Sequence, residues 1–307
     1  MSSGQISFDD PASELIIIRK RKSEYVLALG GGGARGLAHI GVLKVLQNKG
    51  IKIKGIAGIS MGAIVGAMYA YYGDAVEVEE MFKKFLQSQF HQRFGKTFFV
   101  LSENPDTYQK PKKIIEKLGR SFVYLKAASK MGVFSQSILK DTLDFLLPDI
   151  SFGDLRIPFV SVSSDLVTGK EIVFKSGRVR QAVIASSLIP GIVEPMKIGN
   201  SILTDGSTTG VIPVKAAIEA FGREVIAVDV SMTLKRNIEL KTAFDVAIRS
   251  NEITGYLLNQ SCLEKADFVI RPKVGDTNWA KFDRLNEMIR AGENAAKKSL
   301  IPLRKSE

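Results

Sequence analysis

Ser60 stands in the pentapeptide Gly58-Ile59-Ser60-Met61-Gly62, between an apolar run at 51–59 and a small-residue apolar run at 61–72. A serine hydroxyl is a weak nucleophile until its surroundings activate it. A G-x-S-x-G turn between a strand and a helix supplies part of that activation. The sharp turn aims the oxygen at the helix N-terminus, and the flanking glycines remove side chains that would collide there. Such a serine suits acyl transfer.

Acyl transfer also needs donors for the oxyanion. Four glycines, Gly30 to Gly33, precede Ala34-Arg35-Gly36, between an apolar run at 25–29 and an amphipathic stretch at 35–48. Gly31-x-Gly33-x-x-Gly36 has the letters of a dinucleotide fingerprint. That fingerprint requires a carboxylate at the end of the next strand, which here ends in Gly58-Ile59-Ser60. A phosphate-binding loop fails as well, because no Gly-Lys-Ser/Thr closes the motif. Consecutive glycines can instead leave backbone N–H groups pointing into a cavity, with helix N-terminal charge behind them. Arg35, in the first helical turn, either pins the loop or meets an anionic head group.

The base is less obvious. A Ser-His-Asp triad needs a histidine, and the chain has only His39 and His91. His39 lies one turn beyond the glycine loop, where packing or orienting the loop is its expected part, and His91 falls in a basic stretch. An aspartate in direct contact with the serine can serve instead. Asp205 follows an apolar run at 198–204, and Gly206 permits a sharp turn beside it. Asp165 and Asp229 also end strand-like runs, so position alone does not choose among the three.

The elements that must position these groups follow from periodicity. Strand, glycine loop, helix, strand, sharp turn and helix over 25–72 is how a parallel α/β sheet begins. Residues 77–147 read as a mainly helical insertion. Strands are then expected at 158–163, 170–174, 197–204 and 224–230, with helices at 179–186, after Pro213, and at about 240–265 and 280–300. Gly62, Gly66 and Ala70 make a small-residue helix face for close packing. The expected organisation is a polar segment at 1–23, one α/β domain at 24–235, and a helical extension at 236–307 packed on that domain.

The formal net charge is +11, from 43 Lys+Arg and 32 Asp+Glu. Residues 83–130 hold eleven of the basic and three of the acidic residues, with eight Phe and Tyr among them. That composition suits an anionic bilayer surface, and equally a core with a solvated face. Nucleic-acid binding is not expected, since no motif for it accompanies the charge. The single Cys262 offers neither an internal disulfide nor a Cys cluster for zinc. No signal peptide is visible at the N-terminus, and the uncharged stretch 55–73 is too rich in Gly and Ala for a membrane span. A cytoplasmic protein with peripheral membrane contact is the expectation.

Four blocks in order carry a resemblance: Gly31-Gly32-Gly33-Ala34-Arg35-Gly36, Gly58-Ile59-Ser60-Met61-Gly62, Ala185-Ser186-Ser187-Leu188-Ile189-Pro190, and Asp205-Gly206. Together they resemble the patatin-like phospholipases, over roughly residues 25–230. The resemblance implies a three-layer α/β sandwich around a mainly parallel sheet, with the basic helical insertion added. It implies a lipid acyl hydrolase with Ser60 as nucleophile and Asp205 as base, and no metal. The N–H groups of Gly31, Gly32 and Gly33 would bind the oxyanion, supported by Arg35, Gly36, Gly58, Gly62 and Gly206, with the 186–190 block as scaffolding. Two departures stand out: Ser207 replaces the usual Gly or Ala after Asp-Gly, and no asparagine precedes Pro213. The implied substrate is a lipid ester, and the competing expectation is a weak or inactive regulator that keeps the fold and binds membranes.

Overall fold

The computed structural model describes residues 24–88, 131–234, 240, 242–275 and 277–300. The polar segment 1–23 and most of the basic insertion, 89–130, lie outside the described residues, so the expectations placed on them go with them. An eight-stranded sheet runs β10-β9-β1-β2-β4-β8-β7, with β5 on the other edge of β4. These are β1 (Glu24–Leu29), β2 (Lys52–Gly58), β4 (Phe159–Asp165), β5 (Glu171–Phe174), β7 (Met196–Ile198), β8 (Ser201–Asp205), β9 (Val225–Val228) and β10 (Phe268–Ile270). The pairs β1–β2, β1–β9, β9–β10 and β2–β4 are parallel, whereas β4–β5, β4–β8 and β7–β8 are antiparallel. A short β3 (Gly132–Phe134) pairs with β6 (Gly191–Val193) apart from it.

The alternation of β1 explains the three layers. Leu27 and Leu29 face a cluster with α1 (Ala38–Asn48) and α2 (Met61–Tyr72), while Val26 and Ala28 face one with α6 (Val214–Phe221) and the end of α7 (Ala243–Leu263). The first cluster also takes in α3 (Ala75–Gln87), α4 (Ser137–Leu146), α5 (Val179–Ser186) and α8 (Leu285–Ser299). The last of these docks on α1 with no room for side chains between. A Cβ on Gly41 would lie 1.9 Å from the Ile289 carbonyl, and one on Gly292 would lie 1.9 Å from that of Ala38.

Two expectations change. The single strand at 197–204 is the hairpin β7–β8, because Gly199 takes φ 57° and turns the chain at Gly199-Asn200. The C-terminal extension is not purely helical, since β10 adds a parallel strand beside β9.

The branching at β4 is what brings the site together. Ser161 pairs with Gly58 of β2 on one side and with Phe174 of β5 on the other. Ser163 pairs with Ile172 of β5 and with Asp205 of β8. A strand has two edges, so β2 and β8 must share one of them. β2 climbs that edge and β8 descends it, so the end of β2 and the end of β8 meet.

Candidate active site

Ser60 is the residue just past β2. It has φ 53° and ψ −122°, and only Glu224 shares its positive φ among the described non-glycine residues. This backbone costs a non-glycine residue on the order of 1–3 kcal/mol and is held by its surroundings. Ile59 N–H donates to Leu29 O at 3.1 Å, and Ser60 O accepts from Ala63 and Ile64 N–H at the start of α2. Ser60 N–H donates to Ser186 Oγ at 3.0 Å, and that hydroxyl donates to Val162 O at 2.5 Å. Ser186, from the third sequence block, therefore fixes the nucleophile's amide, a role its type and position did not reveal.

The supporting glycines permit this assembly by close approach. A Cβ would lie 2.5 Å from Met61 Cγ at Gly36, 2.5 Å from Ala63 Cα at Gly58, 2.1 Å from Leu29 O at Gly62 and 2.4 Å from Val162 O at Gly206. At Gly58, Gly62 and Gly206 the obstacle is backbone, and at Gly36 it is the Met61 side chain, so a larger residue at any of the four displaces its neighbours.

The glycine loop lies against the serine. A Cβ placed on Gly31 would be 3.4 Å from Ser60 Cβ and 3.8 Å from Ser207 Cβ, so the first, second and fourth blocks converge there. The Gly31 N–H is engaged, however, donating to Val211 O at 2.9 Å, which corrects its expected part as a free donor. Ala34 N–H donates to Trp279 O at 2.6 Å. The amides of Gly32 and Gly33 donate to no backbone carbonyl among the described residues. Arg35 pins the loop rather than facing a head group: its Nε donates to Val230 O and its Nη1 to Thr277 O, both at 3.1 Å. Burial lowers the Arg35 pKa, while the charge of Asp229 opposes the shift.

His39 is fully buried, and its Nε2–H donates to Gly30 O at 2.8 Å. Burial brings its pKa down to about 4, against the pull of the Gly30 carbonyl and Asp229, so it stays neutral. It orients the loop, as its position suggested. His91 lies outside the described residues.

Asp205 is buried at the end of β8, and its Oδ1 accepts from Ser207 N–H at 2.9 Å. Burial pushes its carboxyl above the ordinary range, against hydrogen bonding from the Ser207 amide, the Ser60 side chain and the Ser207 hydroxyl. The turn beyond it is held by Ser164, whose Oγ donates to Gly206 O at 3.2 Å and lies 2.8 Å from Thr209 Oγ1.

The other two strand-end aspartates are occupied elsewhere. Asp165 accepts from Val167 N–H, Thr168 Oγ1, Ser201 Oγ and Ile202 N–H at 2.8–3.1 Å. Asp229 Oδ1 accepts from the amide and hydroxyl of Ser231, and its Oδ2 lies 3.4 Å from Arg271 Nε. Of the three, the one that faces Ser60 is Asp205. No cluster suited to a metal occurs among the described residues.

A profile of patatin-like phospholipases matches residues 27–218, more than half of the chain and all four blocks. The chain belongs to the patatin-like phospholipase family. Among its relatives in this family are an uncharacterised NTE family protein of Mycobacterium bovis and the lysophospholipase NTE1 of Cryptococcus neoformans. Each is 31% identical over 204 residues, covering 66% of this chain. The matched part spans 48% of the mycobacterial relative and 11% of the fungal one, so the chain covers half or less of these longer proteins. Among solved structures, VipD of Legionella pneumophila aligns over 96% of this chain and 71% of its own, with 14% identity and a TM-score of 0.49. Against the patatin-like pattern, Ser207 remains the notable departure, and here its amide donates to Asp205 Oδ1 at 2.9 Å.

Proposed function

We propose that the protein is a serine acyl hydrolase of lipid esters, with Ser60 as nucleophile and Asp205 as its base. The supporting observation is that Ser60, on a positive-φ turn at a helix N-terminus, faces a buried carboxyl of raised pKa. A carboxylate is a weaker base than an imidazole, and burial corrects for this by raising its proton affinity.

In the first half-reaction the Ser60 oxygen attacks the ester carbonyl carbon and its proton passes to Asp205. The carbonyl electron pair moves onto oxygen, which the Gly32 and Gly33 amides hold at the N-terminal end of the following helical turns. The intermediate collapses, and the alcohol leaves with the proton from Asp205. Water then attacks the acyl-serine, again giving its proton to Asp205. The C–O bond to Ser60 breaks, and the serine oxygen recovers that proton as the fatty acid departs. Arg35, His39 and Ser186 act by holding the loop and the turn at fixed separation, since small displacements are costly for such chemistry.

Family membership supports a lipid ester as substrate, and the curated name of the fungal relative is that of a lysophospholipase. Labelling with a fluorophosphonate tests the reading. The expected adduct is on Ser60, with labelling and ester hydrolysis both absent in Ser60→Ala. A label on another serine, or hydrolysis that survives Ser60→Ala, would sink it.

A further inference from the structure

Beyond the site, β4 and β8 lead to two turns at the same end of the sheet. Ser163 is level with Asp205, and Leu166 lies three residues further on, just past the end of β4 and about 10 Å away at strand rise. Leu166 and Val167 form the β4–β5 turn, and Ile198 begins the β7–β8 turn. They are 52%, 58% and 49% exposed, a high degree for large apolar side chains. The two turns are joined. Leu166 N–H donates to Ile202 O at 2.8 Å, and the buried Asp165 carboxylate accepts from Val167 and Thr168 of one turn and from Ser201 and Ile202 of the other. The exposed apolar groups therefore sit on a rigid ledge, where little order remains to be lost on binding.

The charge of the ledge is one-sided. The segments 166–170 and 197–201 contain Lys170 and Lys197 and no acidic residue. Both lysines are exposed, and neither forms an ion pair among the described residues. The neighbouring Glu171 is turned to Lys215, at 3.7 Å. An isologous contact with a second copy would set these lysines against their equivalents, in a chain that already carries +11. The complement of apolar tips ringed by cations is a surface with hydrocarbon below and anions above.

We propose that this ledge docks on an anionic phospholipid bilayer, with Leu166, Val167 and Ile198 entering the head-group boundary and Lys170 and Lys197 meeting phosphates, so that the Ser60 end of the sheet faces the lipid. The purpose of the docking rests on the hydrolase reading, but its measurement does not. The full chain is sedimented with vesicles of phosphatidylcholine, with and without phosphatidylglycerol. Leu166→Ser/Val167→Ser/Ile198→Ser is expected to lower partition onto the anionic vesicles at least about tenfold. Lys170→Gln/Lys197→Gln is expected to remove about tenfold of the preference for anionic over neutral vesicles. Ser60→Ala binds like the wild type, so failure of the catalytic reading and failure of the ledge are separable. Melting temperatures check that each variant is folded. Wild-type binding to neither vesicle, or equal binding by the triple-serine variant, would overturn the proposal. So would a wild-type dimer that the triple-serine variant breaks without any change in vesicle binding.

Discussion

Asp205 and Asp165 lie at facing ends of the same antiparallel pair, two rungs apart, and chemistry has treated them in opposite ways. Asp165 pairs with Leu203, and Asp205 pairs with Ser163. Both are buried. At Asp165, burial pushes the carboxyl up, but hydrogen bonds from Val167, Thr168, Ile202 and Ser201 outweigh it and bring the pKa below the usual range. At Asp205 the Ser207 amide donates at 2.9 Å, the Ser60 and Ser207 side chains pull in the same direction, and burial prevails. The balance of burial against donors, rather than position on a strand, separates a structural carboxylate from a candidate base. One is held as an anion that stitches two turns together. The other keeps affinity for a proton.

The largest test of that contrast is a pair of variants. Asp205→Asn removes the proton acceptor beside Ser60 and is expected to lower kcat/KM on a soluble ester by about 10⁴-fold or more. Asp165→Ala strips four donors of their acceptor, so its main effect is a drop of several degrees in melting temperature. Its kcat per folded molecule should fall far less than that of Asp205→Asn. Equal activity losses at the two sites would mean that the contrast has no catalytic meaning.

The same contrast has opposite signs in pH-dependent stability. Asp165 has a folded pKa below its unfolded one, so its contribution is present above the unfolded pKa and lost as pH falls through the folded value. Asp205 has a folded pKa above its unfolded one, so the native state binds more protons in that window and stability declines as pH rises through it. Once ionised, the buried Asp205 is a stability cost. Asp205→Asn is therefore expected to raise the melting temperature, because the amide cannot carry a buried charge. Thermal melts at pH 7 would contradict this if Asp205→Asn were the less stable form.

Strain at the nucleophile offers a third measurement. At φ 53°, alanine keeps the backbone penalty and glycine relieves it. Ser60→Gly should therefore melt higher than Ser60→Ala by the equivalent of about 1 kcal/mol, with both inactive. If the two variants melted together, the turn would be relaxed rather than strained.

Much of this was legible in the sequence because the signals are local. The glycine loop, the serine turn and the apolar runs of β1 and β2 each announce themselves within a dozen residues, and the alternation of strand and helix gives the sheet. What escaped was long-range or encoded in a single dipeptide. Gly199-Asn200 divides an apolar run that reads as one strand, yet that turn is what makes β8 antiparallel and sends Asp205 towards Ser60. The Ser186 hydroxyl that holds the Ser60 amide is 126 residues away from it. Neither spacing nor type announces such a contact. The same holds for Trp279 and Thr277, whose carbonyls clamp the glycine loop from a segment that reads only as a link before the last helix. Among the three aspartates, the sheet pairing that brings the end of β8 to the end of β2 singles out Asp205, and that pairing exists only in the folded chain.

The finest test concerns the departure at position 207. The family pattern places Gly or Ala after Asp-Gly, and here the Ser207 hydroxyl helps to hold the Asp205 pKa down. Ser207→Ala removes that hydroxyl and keeps the amide, which donates at 2.9 Å. The Asp205 pKa should rise, moving the acid limb of kcat/KM against pH towards higher pH, because the base acts only when ionised. On the plateau the stronger base should raise the rate a few-fold, by roughly half a kcal/mol of barrier. A limb that moved towards lower pH would mean that Ser207 was assisting the base. An unmoved limb would mean that its hydroxyl points elsewhere during turnover, and that the contrast between the two carboxylates is set by burial and backbone alone.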